Sequence, residues 1–238
     1  MATAVVGAGG PTGLECVKQL LAGASVPEVR AVVRDVAKHQ DRFPKDGRLK
    51  VVAGDVTNPS SLGPALSGVA NVIFTASGST YFSAAAVDHK GVANVAAAAK
   101  AAGAQHMVLV SSRLVTPKNR WHPIRNVLNW VRWGLMDEKL KGEAALRSSG
   151  MAYTIVRPGG LGSGAAGTVR ILAEQGDVAP RGSSSIARAD VAAVCVAALN
   201  NPAARNVTLE LSTAPASSTL GTPADSLTQM FKGLQPDS

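Results

Sequence analysis

A glycine-rich turn near the start of the chain has the residue types and spacing of a phosphate-binding loop. Residues 3–6 form a short apolar run that predicts a buried strand, and apolar residues at helical spacing follow from Leu14 onward. In this context Gly7 permits a tight turn, Gly10 lets the backbone approach a pyrophosphate, and Gly13 lets the helix pack close to the strand. The helix N-terminus would then present free N–H groups and its positive dipole end to the phosphates. We therefore predict a dinucleotide site that includes Gly7, Gly10, Pro11, Thr12 and Gly13, with a merely flexible turn as the alternative.

The residue that ends the second predicted strand distinguishes between the two nicotinamide cofactors. NAD sites usually place an acidic residue there to bind the ribose 2′-hydroxyl, whereas this strand, residues 29–34, ends in Arg34. A guanidinium suits a 2′-phosphate through paired charge-assisted hydrogen bonds, and Lys38 adds a second positive charge. Asp35 is a weaker candidate for an NAD-type contact, and a solvated Arg34 without a ligand is the alternative. The sequence thus predicts that NADP(H) is preferred over NAD(H).

Predicted strands and helices alternate along the chain and position these residues. Strands are predicted at residues 3–6, 29–34, 49–53, 69–76, 107–110, 153–156 and 207–211, and the longer helices at residues 84–102, 124–148 and 189–199. This order predicts an α/β fold, a single Rossmann-type, doubly wound and mainly parallel sheet with helices on both faces. Ligands in such sheets bind beyond the carboxyl ends of the strands, where the residues discussed above lie.

The predicted NAD(P)-binding domain covers residues 1–213 and has two small substrate-side segments, residues 113–135 and 159–187. Within the second segment, residues 162–185 are rich in glycine and serine and are expected to loop across the sheet. Residues 214–238 are rich in Ser, Thr and Pro and are predicted to form a largely irregular tail.

Composition narrows the set of partners. The net charge is +8, but the Lys and Arg residues are dispersed, so an anionic cofactor explains the charge better than nucleic acid, which we regard as an unlikely partner. No apolar run approaches the length of about 20 residues that a membrane span needs. Cys16 and Cys195 are expected to be buried, reduced thiols, and the four histidines lack ligand spacing, so no metal site is predicted.

Residues 3–212 resemble the atypical short-chain dehydrogenase/reductase family, in its NmrA-like, NAD(P)H-binding group. The motifs that carry the resemblance are residues 7–13, Gly54-Asp55-Val56, Val110-Ser111-Ser112, residues 137–150, residues 153–161 and residues 186–192, the last two being specific to this group. Many plant, algal and cyanobacterial members are plastid or cytoplasmic proteins, which implies the chloroplast stroma, with a transit segment absent from this chain, or otherwise the cytoplasm. Several members resemble flavin, biliverdin or quinone reductases, and others act as assembly or regulatory factors.

The resemblance also implies roles for matching positions. Adenine would lie between Asp55 and Val56, and the ribose and pyrophosphate along Thr75, Ala76 and Ser77. The nicotinamide end would meet Ser112, with Ser111 beside it, then Lys139 at the ribose and Pro158 and Gly159 at the carboxamide. The candidate catalytic residues are Ser112 and Lys139. Arg188 and Asp190 would be structural and would attach a loop to the sheet.

One position departs from the pattern of the catalytic family members. They place a tyrosine four residues before the lysine, where the lysine lowers the phenol pKa, but this chain has Leu135 there. Tyr81, in the loop after the fourth strand, is the other candidate proton donor. A planar acceptor such as a flavin, a quinone or a biliverdin-like molecule spreads the charge after hydride transfer and can take its proton from water. The sequence therefore predicts an NADPH-dependent reductase of a planar acceptor, with a non-catalytic NADP(H)-binding sensor, regulatory or assembly factor as the alternative.

All three tryptophans of the chain lie within thirteen residues. Trp121, Trp130 and Trp133 are interleaved with Arg120, Arg125 and Arg132. Three interpretations are open: a lid that stacks on a planar acceptor, an exposed patch for a protein partner, and helix packing against the sheet edge.

Overall fold

The computed structural model describes residues 1–78, 80, 82–179, 183–214, 227 and 229–237. Its strands are β1 (Ala2–Val6), β2 (Val29–Val33), β3 (Leu49–Ala53), β4 (Val69–Phe74), β5 (His106–Val110), β6 (Ala152–Arg157), β7 (Gly160–Gly162), β8 (Ile171–Glu174), β9 (Ser185–Ala187) and β10 (Val207–Thr213). The central sheet has the order β3–β2–β1–β4–β5–β6–β10–β8, and β7 pairs with β9 outside it. All pairs in the central sheet are parallel except that of β10 with β8.

Helices cover both faces of this sheet. They are α1 (Pro11–Ala22), α2 (Val36–His39), α3 (Pro59–Leu66), α4 (Val92–Ala101), α5 (Pro123–Val131), α6 (Leu135–Arg147) and α7 (Arg188–Leu199), and a π-helical segment, Ala85–Gly91, leads into α4. One face packs against α1 and α7, and the other against α3, α4 and α6. The predicted doubly wound α/β fold is confirmed. Within the described residues, no helix is both long and apolar enough to cross a membrane.

Burial on both faces explains why the strands are apolar runs rather than alternating patterns. Val5 of β1 packs in the core beneath α1 and α7, whereas Ala4 and Val6 pack in the core on the opposite face. Successive side chains of a strand point to opposite faces, so a strand covered on both sides must be apolar throughout.

The prediction that residues 162–185 simply loop across the sheet is wrong for residues 171–174, which form β8. This short strand pairs antiparallel with β10, Ala173 lying opposite Leu211. A buried ion pair between Arg113 and Glu174, with an N–O distance of 3.0 Å, connects β8 to the segment that follows β5. Four residues carry too little periodicity to indicate a strand, and the pairing and the ion pair determine its place.

The single helix predicted over residues 124–148 is also corrected, because the structure divides it at Gly134. Trp133 and Gly134 both have positive φ angles, 44° and 71°, which end α5 and begin α6. The other glycine of this stretch, Gly142, lies inside α6. A side chain at Gly142 would overlap the backbone carbonyl oxygen of Asp88, so this glycine allows α6 to pack directly on the π-helical segment.

The two cysteines face each other across the α1–α7 contact. Cys16 and Cys195 are both buried and free, as expected. A hydrogen bond to Cys195 and burial raise the pKa of Cys16 well above its ordinary value. Burial thus keeps this thiol protonated and unreactive.

The last described residues pack against the sheet domain. Phe231 is buried, and the Asp237 carboxylate accepts hydrogen bonds from Tyr153 Oη and Arg147 Nε, each at 3.1 Å. The composition of the tail did not predict this contact. The domain boundary at residue 213 stays a prediction.

A buried arginine links three elements of the fold. The Arg157 guanidinium on β6 donates to Glu143 of α6, at 2.9 and 2.6 Å, and to Glu210 of β10, at 2.9 Å. Burial alone would lower the pKa of Arg157, but the hydrogen bonds and charges of the two glutamates outweigh burial and raise it. The cation therefore stays charged and compensates two carboxylates that are completely buried.

Replacing this arginine with an apolar residue should strongly destabilise the protein. We expect Arg157→Met to lower the free energy of unfolding by about 3–5 kcal/mol, because Glu210 would stay buried without the cation it pairs with and Glu143 would keep only its weaker contact with Arg147. Urea unfolding followed by circular dichroism measures the change. The control is Lys18→Met, which removes a partly exposed surface ion pair with Glu15 and should cost less than about 1 kcal/mol. Similar losses of unfolding free energy in both variants would contradict the stabilising role assigned to Arg157.

Candidate functional site

The glycine loop passes so close to the end of β4 that side chains are excluded from it. Gly7 has φ 83°, and a Cβ atom there would lie 2.6 Å from the backbone nitrogen of Ala76. A Cβ atom at Gly13 would lie 2.7 Å from Thr75 Oγ1, which itself donates to the carbonyl oxygen of Val6 at 3.0 Å. Glycine at these positions is therefore a packing requirement as well as a conformational one.

The N-terminus of α1 lies in this loop and is exposed at Pro11. Gly10 is the N-cap residue, Pro11 occupies the first turn, and the first turn has neither a side-chain cap nor an acidic residue. The first free N–H groups and the positive end of the helix dipole are thus not neutralised by the protein. An anion placed here would be stabilised by both.

A groove of about 470 Å³ runs along the carboxyl ends of β1 to β4. It brings together nine of the residues predicted from the sequence, namely Gly7, Gly10, Pro11, Arg34, Asp55, Val56, Thr75, Ala76 and Ser77. Thr12 and Gly13 do not line the groove. They lie behind it in the first turn of α1, where Thr12 is buried.

Positive side chains gather at the end of the groove nearest β2. Arg34 lines the groove and is exposed, whereas Lys38 is exposed on α2 and does not line it. The Asp35 carboxylate caps α2 by accepting the backbone N–H of Lys38 at 3.1 Å. Because the carboxylate already caps α2, Asp35 is less available to bind a ribose hydroxyl, which is the contact that the NAD-type alternative requires.

Two neighbours of this edge were missed by the sequence reasoning. His39 lines the groove beside Gly9, and its Nδ1 lies 2.9 Å from the carbonyl oxygen of Asp35. Arg42 donates to the carbonyl oxygen of Gly9 at 2.9 Å. Both residues lie within one or two helical turns of Arg34 in the sequence, and this proximity could have indicated that they adjoin the groove.

A second cluster lies next to the groove, beneath Ala76. Lys139 Nζ donates to Asp88 Oδ1 at 2.8 Å, and Asp88 Oδ2 accepts the backbone N–H of Gly78 at 2.8 Å. Ser111 lines the same small void of about 10 Å³, and its buried Oγ has no hydrogen-bond partner within the described residues. Ala76 lines both the void and the groove, so the two sites adjoin.

Asp88 is the functional candidate that the sequence reasoning overlooked. Its side chain is almost completely buried, and its carboxylate fixes the Lys139 ammonium. The signal was available, because Asp88 is the only acidic residue in the alanine-rich stretch from residue 84 to residue 102. A buried carboxylate requires a partner, and a lysine on a facing helix supplies it.

The remaining predicted residues lie outside both linings. Ser112 is half-buried and lines neither the groove nor the void. Pro158 is buried, and a side chain at Gly159 would overlap the carbonyl oxygen of Ser184. The nicotinamide-binding roles of Ser112, Pro158 and Gly159 stay predictions. It is Ser111, rather than Ser112, that lines the void together with Lys139.

Leu135 stands where the family resemblance implies a tyrosine in catalytic members. It is buried at the first turn of α6, one turn before Lys139, and offers no proton. Tyr153 lies in the core, as expected, and donates to Asp237. Tyr81, the other candidate donor, lies outside the described residues.

Arg188 and Asp190 attach the loop after β7 to the start of α7. Arg188 donates to the carbonyl oxygen of Gly162 at 3.0 Å, and Asp190 accepts the backbone N–H of Gly167 at 2.7 Å. Burial raises the pKa of Asp190, and the hydrogen bond from Gly167 opposes that rise. These contacts hold the loop to α7, whereas the resemblance implies that the two residues attach a loop to the sheet.

The tryptophans do not pack against the sheet edge. Trp121, Trp130 and Trp133 are 79%, 80% and 62% exposed, so that interpretation is wrong. None of them lines the groove.

Comparison with known proteins agrees with this geometry. A family model described as NAD(P)H-binding matches residues 7–202. Sanguinarine reductase of Eschscholzia californica is 31% identical over 88% of this chain and 88% of its own, and a chloroplastic protein of Arabidopsis thaliana is 32% identical over 95% and 73%. The structure of an anaerobilin reductase from Escherichia coli O157:H7 is 26% identical, covers 93% of this chain and 100% of its own, and superposes with a TM-score of 0.71.

A single methyl group at Gly13 tests the glycine loop. We expect Gly13→Ala to weaken NADPH binding at least about ten-fold, because the new Cβ atom would collide with backbone and displace α1 from the loop. Isothermal titration calorimetry measures the affinity. The matched control is Gly63→Ala in α3, where nothing lies within 4 Å and alanine should stabilise the helix by about 0.5–1 kcal/mol. Unchanged NADPH affinity in Gly13→Ala would contradict the assigned site.

Proposed function

The chain belongs to the NAD(P)H-binding family, as its motifs predicted, and we propose that it is an NADPH-dependent reductase of a planar acceptor. The observation that carries the proposal is Leu135, which stands where a proton-donating tyrosine would serve reduction of a simple carbonyl. Acceptors of the flavin, quinone or biliverdin type delocalise the added charge and need no donor at that position. The names of two relatives, a sanguinarine reductase and an anaerobilin reductase, support an acceptor with an extended ring system.

The residues present fit a dinucleotide. The side-chain-free cradle at Gly7 and Gly13 would admit a pyrophosphate against the backbone, and the uncapped N-terminus of α1 would stabilise its charge. The unpartnered Ser111 Oγ is available to a polar group that enters from the groove. When bound, NADPH supplies the hydride for the reduction.

The protein's own contribution is to position and stabilise charge. Asp88 holds the Lys139 ammonium at one place, so the lysine can donate to a ribose hydroxyl without first losing side-chain freedom. Ser111 Oγ lies on the same side and can orient the acceptor by a hydrogen bond. With Leu135 apolar, position 135 offers no proton, and water can supply it to the acceptor.

Preference for NADP(H) over NAD(H) belongs to the same proposal. Arg34 lines the groove at the end of β2, and His39 adds a ring nitrogen beside Gly9. A 2′-phosphate would bring negative charge to this edge, where the neighbouring Asp35 carboxylate already caps α2.

Removing the guanidinium at the cofactor edge should change cofactor preference. We expect Arg34→Ala to weaken NADPH binding about 10–100-fold, since a charge-assisted hydrogen bond contributes about 1.5–3 kcal/mol, and to change NADH binding less than about three-fold. Calorimetric titration with both cofactors measures the ratio. Lys45→Ala, an exposed basic residue outside the groove, is the control. Equal weakening of NADPH and NADH by Arg34→Ala would refute a contact to the 2′-phosphate.

Reductase activity is tested by following NADPH oxidation at about 340 nm with flavins, quinones and biliverdin as acceptors. We expect turnover with one of these acceptor classes, little with simple ketones, and a fall in kcat of about 10–100-fold in Lys139→Met and in Ser111→Ala. Efficient reduction of a simple ketone would contradict the role given to Leu135.

A non-catalytic NADP(H)-dependent sensor, regulatory or assembly factor is the second candidate. Two observations favour it, the absence of a tyrosine at position 135 and the exposed tryptophans. Tight NADPH binding without turnover of any acceptor in the panel would support it over the reductase. We also propose the chloroplast stroma as the compartment, on the similarity to a chloroplastic relative.

A further inference from the structure

Helix α5 is mounted with its polar side toward the protein and its apolar side toward solvent. Arg125 is buried and pairs with Asp137 at the start of α6. Asn129 donates to Asp137 Oδ2 at 3.0 Å and accepts the backbone N–H of Met136 at 2.7 Å. Since these contacts fix the rotation of the helix about its axis, the opposite side is held outward.

The outward side is apolar without interruption. Ile124, Val127 and Val131 recur at helical spacing and are 58%, 58% and 53% exposed, and Trp130 beside them is 80% exposed. Trp121, two residues before the helix, is 79% exposed. We call Trp121, Ile124, Val127, Trp130 and Val131 the α5 face. Soluble proteins expose scattered apolar side chains, but a contiguous patch of this kind indicates a contact surface.

The charged residues in the segment that carries the α5 face are all basic. Residues 117–135 contain four Lys or Arg residues and no Asp or Glu. Lys118 and Arg120 are exposed beside the face, and the Arg120 guanidinium lies 5.1 Å from the centre of the Trp121 ring. Arg132, at the other end of the helix, is half-buried. A partner for this surface must therefore combine an apolar layer with negative charge at its edge.

We propose that the α5 face docks the protein on a membrane surface that contains anionic lipids. A helix with one apolar side, basic flanking residues and tryptophan lies in the plane of the lipid headgroups, with its apolar side among the upper acyl carbons. Indole rings favour this interface, and each basic residue near an anionic surface adds attraction. Nine residues of helix extend over roughly 13 Å, which is enough for peripheral binding. The inference goes beyond the proposed reductase function and does not rest on it.

The tryptophans make this proposal directly measurable. Trp121, Trp130 and Trp133 are all the tryptophans of the chain, so intrinsic emission reports on this region alone. We expect vesicles of phosphatidylglycerol and phosphatidylcholine to shift the emission to shorter wavelength and to co-sediment with the full-length protein. Vesicles of phosphatidylcholine alone should bind the protein at least about ten-fold more weakly, and added salt should weaken binding to the anionic vesicles.

A double variant tests the α5 face itself. Trp121→Ser combined with Trp130→Ser should weaken partitioning into anionic vesicles at least about ten-fold and leave Trp133 as the reporter. Val169→Ser replaces an exposed apolar residue outside the α5 face and should bind as the unmodified protein does. Unchanged NADPH affinity in both variants verifies that they are folded.

Three results would overturn the proposal. They are no co-sedimentation with anionic vesicles, equal binding to neutral and anionic vesicles, and undiminished binding by the double variant. If the vesicles fail to bind but analytical ultracentrifugation shows a dimer that the double variant abolishes, the α5 face instead joins two copies of this chain.

Discussion

The close approach of the glycine loop to the end of β4 is the constraint on which the candidate site depends. Backbone meets backbone where Gly7 faces Ala76, and Gly13 leaves no more than the space of a hydrogen against Thr75 Oγ1. This contact lets α1 start at the edge of the sheet and leaves its uncapped N-terminus facing the groove. A larger residue at either glycine would separate the helix from the strand, and the cradle for a phosphate would be lost.

A second close contact, at Gly142, sets the other half of the site. At Gly142, α6 packs directly on the π-helical segment. Lys139 lies one turn before Gly142 on the same face of α6 and therefore reaches Asp88. Burying an ion pair costs solvation, so this pair is weak evidence for stability and better evidence for a need to hold the ammonium in one place. The extra residue per turn of a π-helix is a feature that often accompanies functional sites.

The sequence predicted the elements whose signals are local. Apolar runs predicted the parallel strands because both faces of the sheet are buried. Glycine spacing predicted the loop because the backbone conformation of the loop requires glycine. Strand β8, Asp88 and His39 were missed since each depends on a partner distant in sequence or on a neighbour in space. Pairing with β10 makes residues 171–174 a strand, and Lys139 gives Asp88 its significance. Ser111 and Ser112 are adjacent in sequence, and only the fold distinguishes which of them faces Lys139.

The reversed orientation of α5 follows from the same connection that positions Lys139. Arg125 and Asn129 on α5 both bind Asp137, which lies two residues before Lys139 on α6. Arg132 at the end of α5 donates to the carbonyl oxygen of Gly78, whose N–H is bound by Asp88. The polar side of α5 is therefore used in fixing the Lys139 cluster, and the apolar side cannot turn inward without breaking those bonds. Exposure of the tryptophans is thus a consequence of how the site is built rather than of loose packing at the surface.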